Sequence, residues 1–192
     1  MVTERRCRTC CSACPSAWMW TGGDFTLSHS RVMFLNMAPR VDSASRLIQA
    51  STASIYRAFS EPGAMERWLP PSNMTGKMLH FDFRDGGSYR MRLTYKEPQH
   101  GQGKTSDDSD EVEVRLTELR DEQRIEQEVT FESGDPAFCG IMRMIWTFQS
   151  EGDGTLVTVR AEDVPEGIRP EDHQAGLDSS LENLAGFVEG AE

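Results

Sequence analysis

The C-terminal stretch Pro170-Glu171-Asp172-His173-Gln174-Ala175-Gly176-Leu177-Asp178-Ser179-Ser180-Leu181-Glu182-Asn183-Leu184-Ala185-Gly186-Phe187-Val188 reads as one long amphipathic helix. Proline fits the first helical position, where a missing N–H costs nothing. Glu171 and Asp172 put negative charge at the positive end of the helix dipole. Leu177, Leu181, Leu184 and Val188 recur at helical spacing as one apolar stripe, flanked by Ala185 and Phe187. Asp178, Ser179, Glu182 and Gly186 point the other way. Such a helix needs an apolar surface to lie on. Burying each large side chain is worth roughly 1.5–3 kcal/mol, so the stripe docks firmly.

The preceding sequence supplies that surface as strands. Val41 to Ala50 reads as a first strand, and Ser51-Thr52 can cap a helix. Ile55, Ala58 and Phe59 follow at helical spacing until Glu61-Pro62-Gly63 stops the helix. A second short helix, Ala64 to Leu69, ends at Pro70-Pro71. Leu79, Phe81 and Phe83 alternate with His80 and Asp82, which predicts one shared apolar face with His80 pointing outward. Asp85-Gly86-Gly87 turns the chain into Tyr89, Met91, Leu93 and Tyr95, which alternate with Arg90, Arg92 and Thr94. A polar loop from Glu97 to Asp110 follows. Its Asp107-Asp108-Ser109-Asp110-Glu111 run lacks the ligand spacing and glycine of a calcium loop. Val112, Val114 and Leu116 mark a further strand, then Ile125, Val129 and Phe131, then Ile141 to Phe148, then Leu156 to Val159 after Gly152-Asp153-Gly154. Short turns join most of these, so the sheet is antiparallel.

Four segments in this order resemble one family. Arg57-Ala58-Phe59-Ser60-Glu61-Pro62-Gly63-Ala64-Met65-Glu66-Arg67-Trp68-Leu69-Pro70 resembles a helical corner of the SRPBCC superfamily. More narrowly, it resembles the family named after the activator of the heat-shock-protein-90 ATPase. Phe83-Arg84-Asp85-Gly86-Gly87-Ser88-Tyr89-Arg90 is similar to that family's glycine hairpin. Gly154-Thr155-Leu156-Val157-Thr158-Val159 is similar to one of its strands, and Asp172 to Ala185 to its final helix. The resemblance spans Val41 to Glu189. It implies the α+β helix-grip fold shared with the birch pollen allergen and lipid-transfer START domains. That fold is a curved antiparallel sheet of about six to seven strands around a long C-terminal helix, with two short helices after the first strand. Concave sheet and helix then line a cavity. Many relatives carry Gly-Trp in that helix; here it is Gly176-Leu177, so the wall is aliphatic there.

The expected pocket residues are Phe59, Trp68, Leu69, Phe81, Phe83, Tyr89, Met91, Met144, Trp146, Leu177, Leu181 and Leu184. Tyr89 and Trp146 add a polar handle to an apolar body. Met91 and Met144 adapt to varied ligands. Strand alternation makes Met144 and Trp146 share one face. The expected partner is a small hydrophobic molecule held without catalysis. The resemblance also implies two alternatives, a co-chaperone-like protein-interaction domain and a cyclase- or hydrolase-like enzyme. No catalytic set, cofactor or metal cluster is expected in the domain. His29 and His100 fall outside patterned sequence, and His173 lies at the start of the last helix near the pocket mouth.

The folded region is expected to run from residue 37 to residue 192. Residues 1–36 show no useful period and read as a disordered tail or a start-site artefact, Met37 being an alternative start. Cys7, Cys10, Cys11 and Cys14 are too crowded for two zinc-binding pairs, and Cys139 reads as a small buried hydrophobe. From Met37 on, 16 basic residues face 29 acidic ones. That charge repels phosphate backbones and anionic membranes, so neither nucleic acid nor a membrane is an expected partner. No apolar run reaches the roughly 20 residues of a membrane helix. The expectation is a cytoplasmic protein, monomeric or homodimeric.

Overall fold

A computed structural model describes residues 39–97, 109–131 and 135–190. The tail of residues 1–36 with its four cysteines, His29, His100 and most of the acidic loop lie outside the described residues. Seven strands form one sheet in the order β1-β7-β6-β5-β4-β3-β2. They are β1 (Val41–Ile48), β2 (Met74–Phe81), β3 (Ser88–Tyr95), β4 (Ser109–Arg120), β5 (Arg124–Phe131), β6 (Met142–Glu151) and β7 (Gly154–Glu162). Every neighbouring pair is antiparallel. The helices are α1 (Thr52–Ser60), α2 (Pro62–Trp68) and α3 (Pro170–Glu189). This is the expected α+β helix-grip architecture, with α3 against β1 and α2 against β2.

Local chemistry accounts for the boundaries. The Ser51 hydroxyl accepts from the Ser54 amide at 3.1 Å and caps α1. Pro62 ends α1 and opens α2, since its ring is compatible with a first helical turn but not an interior one. The second helix therefore starts two residues before the expected Ala64. The β2–β3 turn is stitched to β4, with the Gly86 amide donating to the Leu116 carbonyl and the Leu119 amide to the Asp85 carboxylate. Gly87 is required there, because a Cβ would sit 2.2 Å from the Asp82 carbonyl oxygen. No described helix is long and apolar enough to cross a membrane.

The alternation in β2 fails at one place. Its pairing with β3 shifts register between Met78 and His80, so Met78 rather than Leu79 packs on the core. Leu79 is 43% exposed. A bulge of this kind breaks the period of two that strand reading assumes. Phe81, beyond the irregularity, returns to the inner side. Ile141 precedes β6 and is likewise exposed.

The two faces of the sheet differ in chemistry. Inward side chains such as Val114, Ile125, Trp146, Val157 and Val159 join Leu177, Leu181, Leu184 and Val188 of α3 in one core. The outer face carries cross-strand ion pairs. Arg90 meets Glu113 at 2.8 Å, Arg92 meets Glu111 at 2.6 Å, and Arg143 meets Glu162 at 2.9 Å. Glu126 is the hub of this ladder, bonded by Arg143 and, at 2.5 Å, by Arg124. The two guanidinium groups hold its carboxyl below the usual range, Arg143 contributing most, against the opposing effect of burial.

Candidate functional site

All twelve expected pocket residues belong to or pack on the inner core. Phe59, Trp68, Tyr89, Met91, Trp146, Leu177, Leu181 and Leu184 are buried, while Leu69, Phe81, Phe83 and Met144 are partly buried around them. Met144 and Trp146 do share the inner face. The aromatic residues pack on one another rather than on empty space. Phe59 lies edge-on to Trp68 at 4.8 Å and to Trp146 at 5.1 Å between ring centres, and Trp68 meets Trp146 at 6.1 Å. Phe81 stacks on Phe83 at 6.0 Å, and Tyr56 meets Phe83 edge-on at 5.7 Å. Each such pair contributes about 0.5–1.5 kcal/mol beyond area burial.

The part of the inner face around Phe59, Trp68 and Trp146, nearest α1 and α2, is thus filled. Elsewhere it is less closed: Leu93 of β3, Val112 of β4, Phe131 of β5 and Met144 of β6 pack on the core yet stay only part-buried. Three surface grooves of about 340, 640 and 410 Å³ lie apart from this face. None of the twelve residues lines them. The first two flank Phe187, over whose ring the Arg67 guanidinium sits at 4.9 Å.

Polar groups on the inner face are few and specific. The Trp68 indole N–H donates to the Ala58 carbonyl at 2.9 Å. The Trp146 indole N–H, in a side chain 1% exposed, has no hydrogen-bond partner among the described residues. Tyr89 is buried with the Gln127 amide hydrogen-bonded to its hydroxyl, and burial drives its phenol well above the ordinary range. Gln127 is itself buried. It lies beside Met144 across the β5–β6 ladder, Met144 lies beside Ala161 of β7, and Ala161 beside Asp42 of β1. These four form one row across the sheet.

The row ends in an ionic clamp. Asp42 accepts from His173 Nδ1 at 2.7 Å and from Arg40 at 3.1 and 2.5 Å. A third Arg40 nitrogen donates to the Ile168 carbonyl at 2.5 Å. Arg40 chiefly, then His173, holds the Asp42 carboxyl below its usual range despite burial. With Pro170, Glu171, Asp172, Gln174, Ala175 and Gly176 all exposed, His173 and Leu177 are what ties the first two turns of α3 down. Among the described residues no Ser, Thr or Cys side chain hydrogen-bonds His173. No group of three or more His, Cys, Asp or Glu among the described residues is placed to hold a metal ion.

Sequence reading missed Gln127 and Asp42. The signal for Gln127 was present: it occupies an inward position between Ile125 and Val129, where an amide is out of pattern. Asp42 alternates with Ala44 and Ile48 in the same way, but its partners come from both ends of the domain.

The fold has many solved relatives. A crystal structure of protein CV1439 from Chromobacterium violaceum is 30% identical, with a TM-score of 0.68, covering 78% of this chain and 96% of that one. A solution structure of an AHSA1-like protein from Aeromonas hydrophila superimposes with a TM-score of 0.61 at 19% identity, covering 79% and 94%. CalU16 from Micromonospora echinospora gives 0.54 at 17% identity, covering 78% and 76%. The latter two show the shared fold alone. No curated protein matches the chain. Residues 49–189, from the residue after β1 to the last residue of α3, match the model for activator of Hsp90 ATPase homolog 1-like proteins, and this chain belongs to that family.

Proposed function

We propose that the domain is a non-catalytic container for one small hydrophobic molecule, held between the concave sheet and α3. The fold is one that commonly holds hydrophobic ligands. The observation that carries the reading is the part-burial of Leu93, Val112, Phe131 and Met144 on the inner face. Phe81 of β2 and Leu119 of β4 are part-buried on that face as well, whereas Val114, Ile125, Val157 and Val159 are sealed; a contiguous set of apolar side chains left partly open on a concave surface marks a binding groove. The closed aromatic half forms the floor; the part-buried half receives the occupant. Among the described residues no charged pair with a nucleophile faces the groove, and its proposed chemistry is retention rather than reaction.

Thermal-shift and native mass-spectrometry screening of hydrophobic compounds tests this. The expected result is a stoichiometric binder that raises Tm and is lost in Met144→Trp, whose larger ring fills the groove. A protein that binds none of them, or binds equally well after Met144→Trp, contradicts the reading.

A further inference from the structure

We propose that the inner-face row from Asp42 to Gln127, with Trp146 beside it, selects for neutral, oxygen-bearing apolar ligands and against carboxylates. This inference rests on the container reading and specifies its occupant.

The first ground is the Trp146 indole N–H. It can only donate, it is buried, and it has no hydrogen-bond partner among the described residues. A buried donor left unmet costs about 1–3 kcal/mol, which a ligand acceptor would recover. Trp146 is two residues along β6 from Met144, on the same face. The second ground is Gln127, directly across the ladder from Met144, a buried amide on a face otherwise built from apolar side chains. Its Tyr89 bond uses part of an inventory of two donors and a carbonyl acceptor. A ketone, ester or hydroxyl group over Met144 therefore meets neutral hydrogen-bonding groups on two sides.

The third ground is charge. The acid at the far end of the row, Asp42, stands two strands from Met144, or about 10 Å at ordinary strand spacing. Arg40, the base beside it, has each of its three nitrogens committed to Asp42 or to the Ile168 carbonyl. Among the described residues of this row a ligand carboxylate would meet no uncommitted cation, since Arg40 and Asp42 already neutralise each other. A neutral carbonyl needs none.

Three shape-matched probes test the inference on the full chain: 2-acetylnaphthalene, 2-isopropylnaphthalene and 2-naphthoate. Calorimetry gives affinity, and the Trp146 indole N–H resonance in a nitrogen-15 NMR spectrum reports on the donor. The ketone is expected to bind about tenfold more tightly than the hydrocarbon, a ratio matching one recovered hydrogen bond. It should move the indole resonance downfield, where the hydrocarbon does not, and the carboxylate should bind weakest. Trp146→Phe should erase the ketone advantage; comparing two probes within one variant cancels any change in folding. Gln127→Leu, close in volume, should reduce the same ratio. Ketone and hydrocarbon binding equally with an unmoved indole, or the carboxylate binding best, overturns the inference and leaves the container intact. Binding of none of the three overturns both.

Discussion

The two faces of this sheet are made by the same strands and solve opposite problems. On the outer face arginines 90, 92, 115, 120, 124, 143 and 160 pair with glutamates 111, 113, 118, 126, 128 and 162, so this surface is close to neutral in a chain of net charge −11. These charges are answered across strands or, for Arg120–Glu118 and Arg160–Glu162, within one strand. On the inner face polar groups are scarce, and one of them, the Trp146 N–H, has no hydrogen-bond partner among the described residues; on the outer face the Arg124 Nε lacks a hydrogen bond but keeps Glu118 at 3.0 Å. The difference teaches where to look for a ligand. A surface whose charges satisfy one another has little to offer a partner, whereas an apolar face with a donor to spare suits the proposed ligand. The contrast also fixes strand register, because a slip of one residue would bury the ladder and expose the core.

The inner face should be the energetically dominant one. Trp146→Ala removes a side chain that touches Phe59 and Trp68, and should cost about 3–5 kcal/mol by urea denaturation. Leu181→Ala, at the centre of the α3 stripe, should cost about 2–5 kcal/mol. A loss below 1 kcal/mol in both would mean that the inner face is loosely packed and the comparison misdrawn. Outside, Glu126→Gln withdraws the shared partner of Arg124 and Arg143 and should cost about 1–3 kcal/mol.

Acid sharpens the comparison further. The Asp42 and Glu126 carboxyls are both depressed in the folded state, so their stabilisation is present above the ordinary carboxylate range near pH 4. It is lost as pH falls through their lowered folded values. The double variant Asp42→Asn, Glu126→Gln should be less stable at pH 7 and lose stability less steeply below pH 4, read from urea midpoints. Parallel curves for variant and parent would remove both groups from the account. Gly176 lies in α3 with open space where a Cβ would go, so Gly176→Ala should raise stability by about 0.5–1 kcal/mol. The smallest effect belongs to the exposed pair: a double-mutant cycle on Arg90 and Glu113 should couple by about 0–1 kcal/mol.

Much of the fold was legible because its signals are local. The α3 stripe, the Ser51 cap, the Pro62 and Pro70 breaks and the glycine hairpins each follow from a few adjacent residues. Leu79 was misplaced because a bulge depends on the partner strand, which no single strand announces. The candidate site was legible as composition and not as shape. Alternation put Trp146 and Met144 on the inner face, but whether neighbouring rings close the space between them depends on rotamers and on α1. The Asp42–His173 contact was out of reach for a different reason: it joins residues 131 positions apart.

That separation has a consequence for how the chain reaches its native state. β1 is an edge strand whose strand partner is β7, and α3 lies across it. A ribosome emits β1 first and its partners last. Until β7 emerges, Ala44 and Ile48 have no Val159 or Thr155 to pair with, and an unpaired apolar edge waits in solution. The hairpins from β2 to β7 can zip sequentially as they appear, but closing the sheet requires a long loop whose entropic cost falls due at the end. Folding of this domain should therefore finish only once β7 and α3 have emerged, with β1 docking as the late, slow step and the stage most open to chaperone capture.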